Sequence, residues 1–184
     1  MKTSRLLLGC FALMAAAQLA VPAWMIVTHE GTLVAGQLFK FHTAPVDPYD
    51  AFRGRYVSVR IEQNSLPIPS GANWTRGQEV FATIVTDTNG FSRLGELRAT
   101  PPDHSPYVAV RISYLYGQNA YVNVPFDHFY MDETLAPAAE KAYREHSRPS
   151  QKNAYITVRI RDGEGVIENL WIDGTPIREF LARK

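Results

Sequence analysis

Between Leu6 and Val27 the chain carries no lysine, arginine, aspartate or glutamate, and this run constrains the molecule more than any other feature. An α-helix rises about 1.5 Å per residue, so a run of this length reaches across a hydrocarbon core of about 30 Å. Lys2 and Arg5 precede it, and no basic side chain of that kind follows until Lys40. The charge bias predicts a single-pass helix with its N-terminus in the cytoplasm and the remainder outside. Trp24 falls where an interfacial anchor would sit. An uncleaved signal anchor is the expected state. Cleavage after Val21-Pro22-Ala23, or lipid attachment at Cys10 within Leu7-Leu8-Gly9-Cys10, are the alternatives. Against cleavage, Trp24 to Val27 prolong the apolar run past the cut; against the lipid, the apolar stretch before Cys10 is short. Gln18 and Pro22 interrupt the run. A helix tolerates both, or uses them to touch a partner helix. The expected division is an anchor over 1–27, a linker with a first strand over 28–46, and one domain over 47–184.

That remainder is long enough to bury a core of its own. A net charge of +1 with 20% charged residues gives no electrostatic footprint for nucleic acid. The one cysteine, Cys10, lies in the apolar run, so the domain has neither a disulfide nor a thiol nucleophile.

The domain reads as short strands at hairpin spacing. Phe39 to Thr43 alternates, as does Tyr56 to Glu62, with Val57, Val59 and Ile61 on one face. Pro67 and Pro69 mark a loop that cannot be a central strand. Gly77 to Thr86 and Phe91 to Ala99 flank the hairpin signal Asp87-Thr88-Asn89-Gly90. Tyr107 to Tyr116 turns at Gly117-Gln118-Asn119 into Ala120 to Val124. Asn153 to Arg161 turns at Asp162-Gly163-Glu164-Gly165 into Val166 to Ile172. Between them Thr134 to His146 has the helical period, with Leu135, Ala138, Ala139, Ala142, Tyr143 and His146 on one stripe, Thr134 as its cap and Pro149 as its stop. The expected fold is mainly β, an antiparallel barrel or sandwich with one late α-helix, preceded by a single N-terminal transmembrane helix.

One block opens the domain: Asp47-Pro48-Tyr49-Asp50-Ala51-Phe52-Arg53-Gly54-Arg55-Tyr56-Val57. Pro48 pushes Asp47 out of the α region, Asp50 can hold a second turn, and Gly54 permits a backbone angle that a β-carbon forbids. This block resembles the bacterial GDYXXLXY proteins, with Asp47, Pro48, Asp50, Arg53, Gly54 and Tyr56 kept. Arg55 stands for the motif's Asp, Val59 for its Leu and Ile61 for its Tyr. Phe129-Tyr130 through Glu133 and Ile172-Asp173-Gly174 look like later family features. The resemblance implies a membrane-anchored extracytoplasmic domain, and a multi-pass membrane protein as its partner, but no reaction.

The candidate binding residues are Asp47, Asp50, Arg53, Tyr56 and Tyr130, with Pro48 and Gly54 as structural members of the block. Structurally, the carboxylates cap turns and pair with Arg53; functionally, the group forms a binding edge. Tyr130, Asp132 and Glu133 form a second group, where the acidic pair suits a helix N-terminus. The five histidines show no paired metal-ligand spacing, so no metal and no cofactor is expected. An anchor followed by a β-rich domain resembles type I signal peptidases, yet the first serine after the anchor is Ser58, inside a strand, and no catalytic residue is assigned. The expected function is a non-catalytic interaction or assembly component of an envelope complex, held in the bilayer through residues 6–27. The alternative is an enzyme or small-ligand-binding domain using the Asp47–Tyr56 region.

Overall fold

The computed structural model describes residues 2–45, 56–148, 150–151 and 153–183. The chain begins with α1 (Lys2–Ala35), in which Leu8–Ala35 is long and apolar enough to cross a membrane. The helix does not stop at Val27. Thr28 to Ala35, expected as linker, continue it for about two turns. The Thr28 and Thr32 hydroxyls donate back to the carbonyls of Trp24 and Thr28 at 2.9 and 3.1 Å, so the β-branched residues satisfy their polar atoms within the helix.

Then come β1 (Gln37–Ala44), β2 (Tyr56–Ser58), β3 (Arg60–Ile61), β4 (Ser65–Pro67), β5 (Glu79–Thr86), β6 (Ser92–Arg98), β7 (Tyr107–Tyr116), β8 (Asn119–Asn123) and β9 (His128–Tyr130). They are followed by α2 (Ala136–His146), β10 (Ala154–Arg161), β11 (Glu164–Ile172), β12 (Thr175–Pro176) and α3 (Ile177–Ala182). The main sheet runs β12-β11-β10-β1-β6-β5-β7-β8-β4, with β3 on β1, while β2 and β9 form a separate ribbon.

The mainly β architecture with a long first helix and a late helix is as expected. The sheet is mixed rather than purely antiparallel, because β1 meets β6 in parallel at Phe41 and Ser92. Of the two expected forms, a closed barrel is not built from the described strands. The path ends at β12 and β4, which are short and carry Pro176 and Pro67, and proline suits an unpaired edge. Bulges in β6, β7 and β11 bend the sheet, and the Ala109 N–H donates to the Gly163 carbonyl at 2.9 Å across the bend.

Alternation places the core as read. Val57, Val59 and Ile61 are buried, as are Val80, Ala82 and Ile84 of β5 and Ile156, Val158 and Ile160 of β10. The single strand expected over Tyr56 to Glu62 is nonetheless divided. Its first part pairs with β9 and its second with β1, and between them the Val59 N–H donates to the Asp127 carbonyl at 2.9 Å. A period of two fixes which side chains face inward but not which strand receives the backbone bonds.

The Asp87 turn is found: its carboxylate accepts the Asn89 and Phe91 N–H groups at 2.8 and 2.9 Å. In α2 the buried residues are Ala136, Ala139, Ala142 and Tyr143, whereas Leu135 and Ala138 of the expected stripe are exposed. Thr134 is not the cap. The Asp132 carboxylate accepts the Thr134 N–H at 2.8 Å, and the Asp132 carbonyl accepts those of Leu135 and Ala136, so the first turn starts later. The helix ends at His146, and Pro149 lies outside the described residues.

Candidate functional site

Strands β2 and β9 pair Tyr56 with Tyr130, Val57 with Phe129 and Ser58 with His128. Val57 and Phe129 turn into the core, which leaves Tyr56, Tyr130 and His128 in contact on the outside. The Tyr56 ring stands edge-on to His128, with centroids 4.3 Å apart, and to Tyr130 at 5.9 Å. Asp127 pairs with the His128 Nδ1. Tyr130 is 69% exposed. The structure therefore brings together two residues that the sequence left in separate groups. Asp47, Asp50 and Arg53, together with Pro48 and Gly54, lie outside the described residues. In the second group, the hydroxyl and N–H of Thr134 hold the Asp132 carboxyl below the usual carboxylate range, with Arg178 adding to the effect.

Tyr130 and His128 line a cleft of about 780 Å³ between α1 and the domain. The helix wall is Pro22, Met25, Ile26, His29, Glu30 and Leu33, a stripe at helical spacing. Over those eleven steps it extends about 16 Å along the helix axis. Its lower half comes from the uncharged run and its upper half from His29, Glu30 and Leu33 beyond that run. The opposite wall is Pro125 to Tyr130 of the β9 approach and Glu164 to Asn169 of β11, with Arg178 at one side. Phe126 shapes the floor against Gly165, where a β-carbon would come within 2.4 Å of the ring.

The helix is seated on the sheet just above this cleft. Thr32 is buried, the Gly36 N–H donates to the Thr32 carbonyl at 2.8 Å, and Arg159 reaches the Gly36 carbonyl at 3.2 Å while it pairs with Glu168 at 3.0 Å. Gly36 is required by the close approach, since a β-carbon there would lie 2.4 Å from the Thr32 carbonyl oxygen and 3.1 Å from Arg159 Cβ. Lower in α1, Pro22 has no N–H, so the Gln18 carbonyl lacks its bond from the next turn, and the Gln18 side chain is exposed on the same stripe.

Sequence reasoning missed His29, Glu30, Glu164 and Arg178. The helical stripe from Pro22 to Leu33 was the signal available, but its opposite wall is assembled from distant strands. Of the histidines in the domain, His42 stacks on Phe91 at 3.8 Å and His146 lies 3.5 Å from Asp173. Among the described residues no group of three or more histidine, cysteine or acidic side chains could hold a metal ion. A second surface lies at the far end of β7, where Tyr114, Leu115 and Tyr116 are exposed and Tyr114 stacks on Tyr121 with ring centroids 4.2 Å apart. Val108, which bridges to Gly163 beside the cleft strand β11, is eight residues from Tyr116, or about 27 Å along an extended strand.

A family model described as GDYXXLXY protein matches residues 18–170. The chain belongs to that family. The match to the GDYXXLXY proteins begins at Gln18 inside α1, so it takes in the helix wall of the cleft as well as the β2–β9 ribbon and most of β11. Arg178 and α3 fall beyond it. The two departures from the motif that lie in described residues, Val59 and Ile61, are both core positions, which an aliphatic side chain fills. Nothing matches among curated proteins or among solved structures.

Proposed function

We propose that this GDYXXLXY protein is a single-pass component of the bacterial inner membrane, with its N-terminus in the cytoplasm and its β domain outside. In this reading its role is non-catalytic, as an interaction or assembly part of an envelope complex with a membrane-protein partner. The observation that carries the reading is the β7–β8 end, where Tyr114, Leu115 and Tyr116 form an exposed patch away from the cleft. Tyrosines supply large contact area with few rotatable bonds and are enriched at interface centres. The exposed Gln18 and the carbonyl released by Pro22 add support, because polar groups at bilayer depth favour a neighbouring helix. The test is purification of the full chain in detergent, with and without Tyr114→Ser and Tyr116→Ser. A stoichiometric membrane protein accompanying the wild type, and lost from the double variant at unchanged melting temperature, is expected. If no such protein accompanies the wild type, the interaction reading falls.

A second reading is favoured by the cleft: a ligand-binding domain, with the ligand beside Tyr56 and Tyr130 rather than at the Asp47–Arg53 block alone. A bound small molecule released on denaturing the purified chain is the expected sign of it.

A further inference from the structure

We infer that the cleft between α1 and the domain holds an amphiphile whose head group carries a primary ammonium beside a phosphate, an inference that rests on the ligand-binding reading above. The shape matches such a molecule. Pro22, Met25 and Ile26 offer an apolar stretch of the helix wall within the uncharged run, His29 and Glu30 follow on the next turn, and Glu164 and Tyr130 line the facing wall. A molecule with an apolar tail and a polar head fits that gradient; a wholly soluble one leaves the apolar stretch uncovered.

The charges select the head. The lining brings Glu30, Asp127, Glu164 and Glu168 against one arginine, Arg178. Glu168 is paired with Arg159 and Asp127 with His128. Among the described residues no cation pairs with Glu30 or Glu164. These two carboxylates in the lining repel a purely anionic head and attract an ammonium, and the exposed Tyr130 ring, backed by Tyr56, offers its face to the same cation. Arg178 can take the phosphate as a fork of donors.

The test is native mass spectrometry of the full chain in detergent with added phosphatidylethanolamine, phosphatidylglycerol or soluble phosphoethanolamine. One phosphatidylethanolamine per chain is expected, with phosphatidylglycerol and the soluble head group retained about ten-fold less. Glu30→Gln with Glu164→Gln should abolish that preference while phosphatidylglycerol retention does not fall. Tyr130→Leu should weaken phosphatidylethanolamine alone. Retention of both lipids equally by the wild type, or an unchanged preference in the double variant, overturns the head-group assignment but leaves a ligand cleft standing. Tight retention of soluble phosphoethanolamine overturns the amphiphile. No retained lipid and no released small molecule removes the ligand-binding reading itself.

Discussion

Tyr143 joins three elements with one side chain. It is buried on α2, its hydroxyl donates to the Ala44 carbonyl at the end of β1 at 2.7 Å, and it accepts from the Arg60 N–H of β3 at 3.4 Å. Tyr143→Phe leaves both backbone groups without that partner, so denaturant unfolding should show a loss of about 1–3 kcal/mol. Burial raises the hydroxyl above the ordinary phenol range. The neutral form is thus the one favoured in the fold. Its contribution is full below the unfolded value of about 10 and is lost as pH rises through the folded one. Alkaline unfolding curves should therefore be shallower in Tyr143→Phe than in the wild type; identical curves would remove this role. Gly165 tests packing instead. A β-carbon there meets Phe126 at 2.4 Å, so Gly165→Ala should cost about 1–3 kcal/mol by thermal or denaturant melts.

At the scale of elements, α1 is both an apolar rod and a part of the domain. Its upper turns carry Thr32 and Leu33 onto the structure, and Gly36 lets β1 start against β10. A chain beginning at Thr28 keeps those contacts, whereas one beginning at Gln37 loses them. The first should be soluble and folded, with circular dichroism dominated by strand. The second should melt several degrees lower, since a loss of about 1 kcal/mol moves the midpoint by roughly 2–8 °C in a domain of this size. Equal melting temperatures would mean that the upper turns of α1 add nothing to the fold.

The whole molecule is asymmetric in charge along its length rather than in total. Lys2 and Arg5 stand on one side of the uncharged run, and the net charge of the chain is only +1. A reporter fused after Lys184 that functions only outside the cytoplasm should be active, and intact-mass measurement should find Met1 or its immediate neighbour at the mature start. A mature start at Trp24, or a lipid on Cys10, would overturn the uncleaved anchor. The arrangement also separates two surfaces, the cleft beside α1 and the Tyr114–Tyr116 patch, so variants in one should leave the readout of the other unchanged.

Local pattern was enough for much of this. The uncharged run determined α1, period-two alternation determined that Val57, Val59, Ile156 and Val158 face inward, and Asp87 with Gly90 determined the β5–β6 turn, because each depends on neighbours within a few residues. What the pattern left open was partnership. Alternation is identical whether Tyr56–Ile61 pairs with one strand or two, so the division between β9 and β1 came only with the fold. Ala139, Ala142 and Tyr143 of the α2 stripe are buried as read, but the helix start was placed too early because Asp132 acts through its own backbone carbonyl as well as its side chain. The end of α1 was missed because Thr28 and Thr32 are poor helix formers by propensity; their hydroxyls bond back within the helix, and the burial of Thr32 against the sheet outweighs that propensity. Tyr56 and Tyr130 could be named from the sequence, but seventy-odd residues separate them, and only the β2–β9 register makes them neighbours. The cleft is likewise a product of tertiary structure, since Glu30 and Glu164 line one space only when α1 is laid against β11.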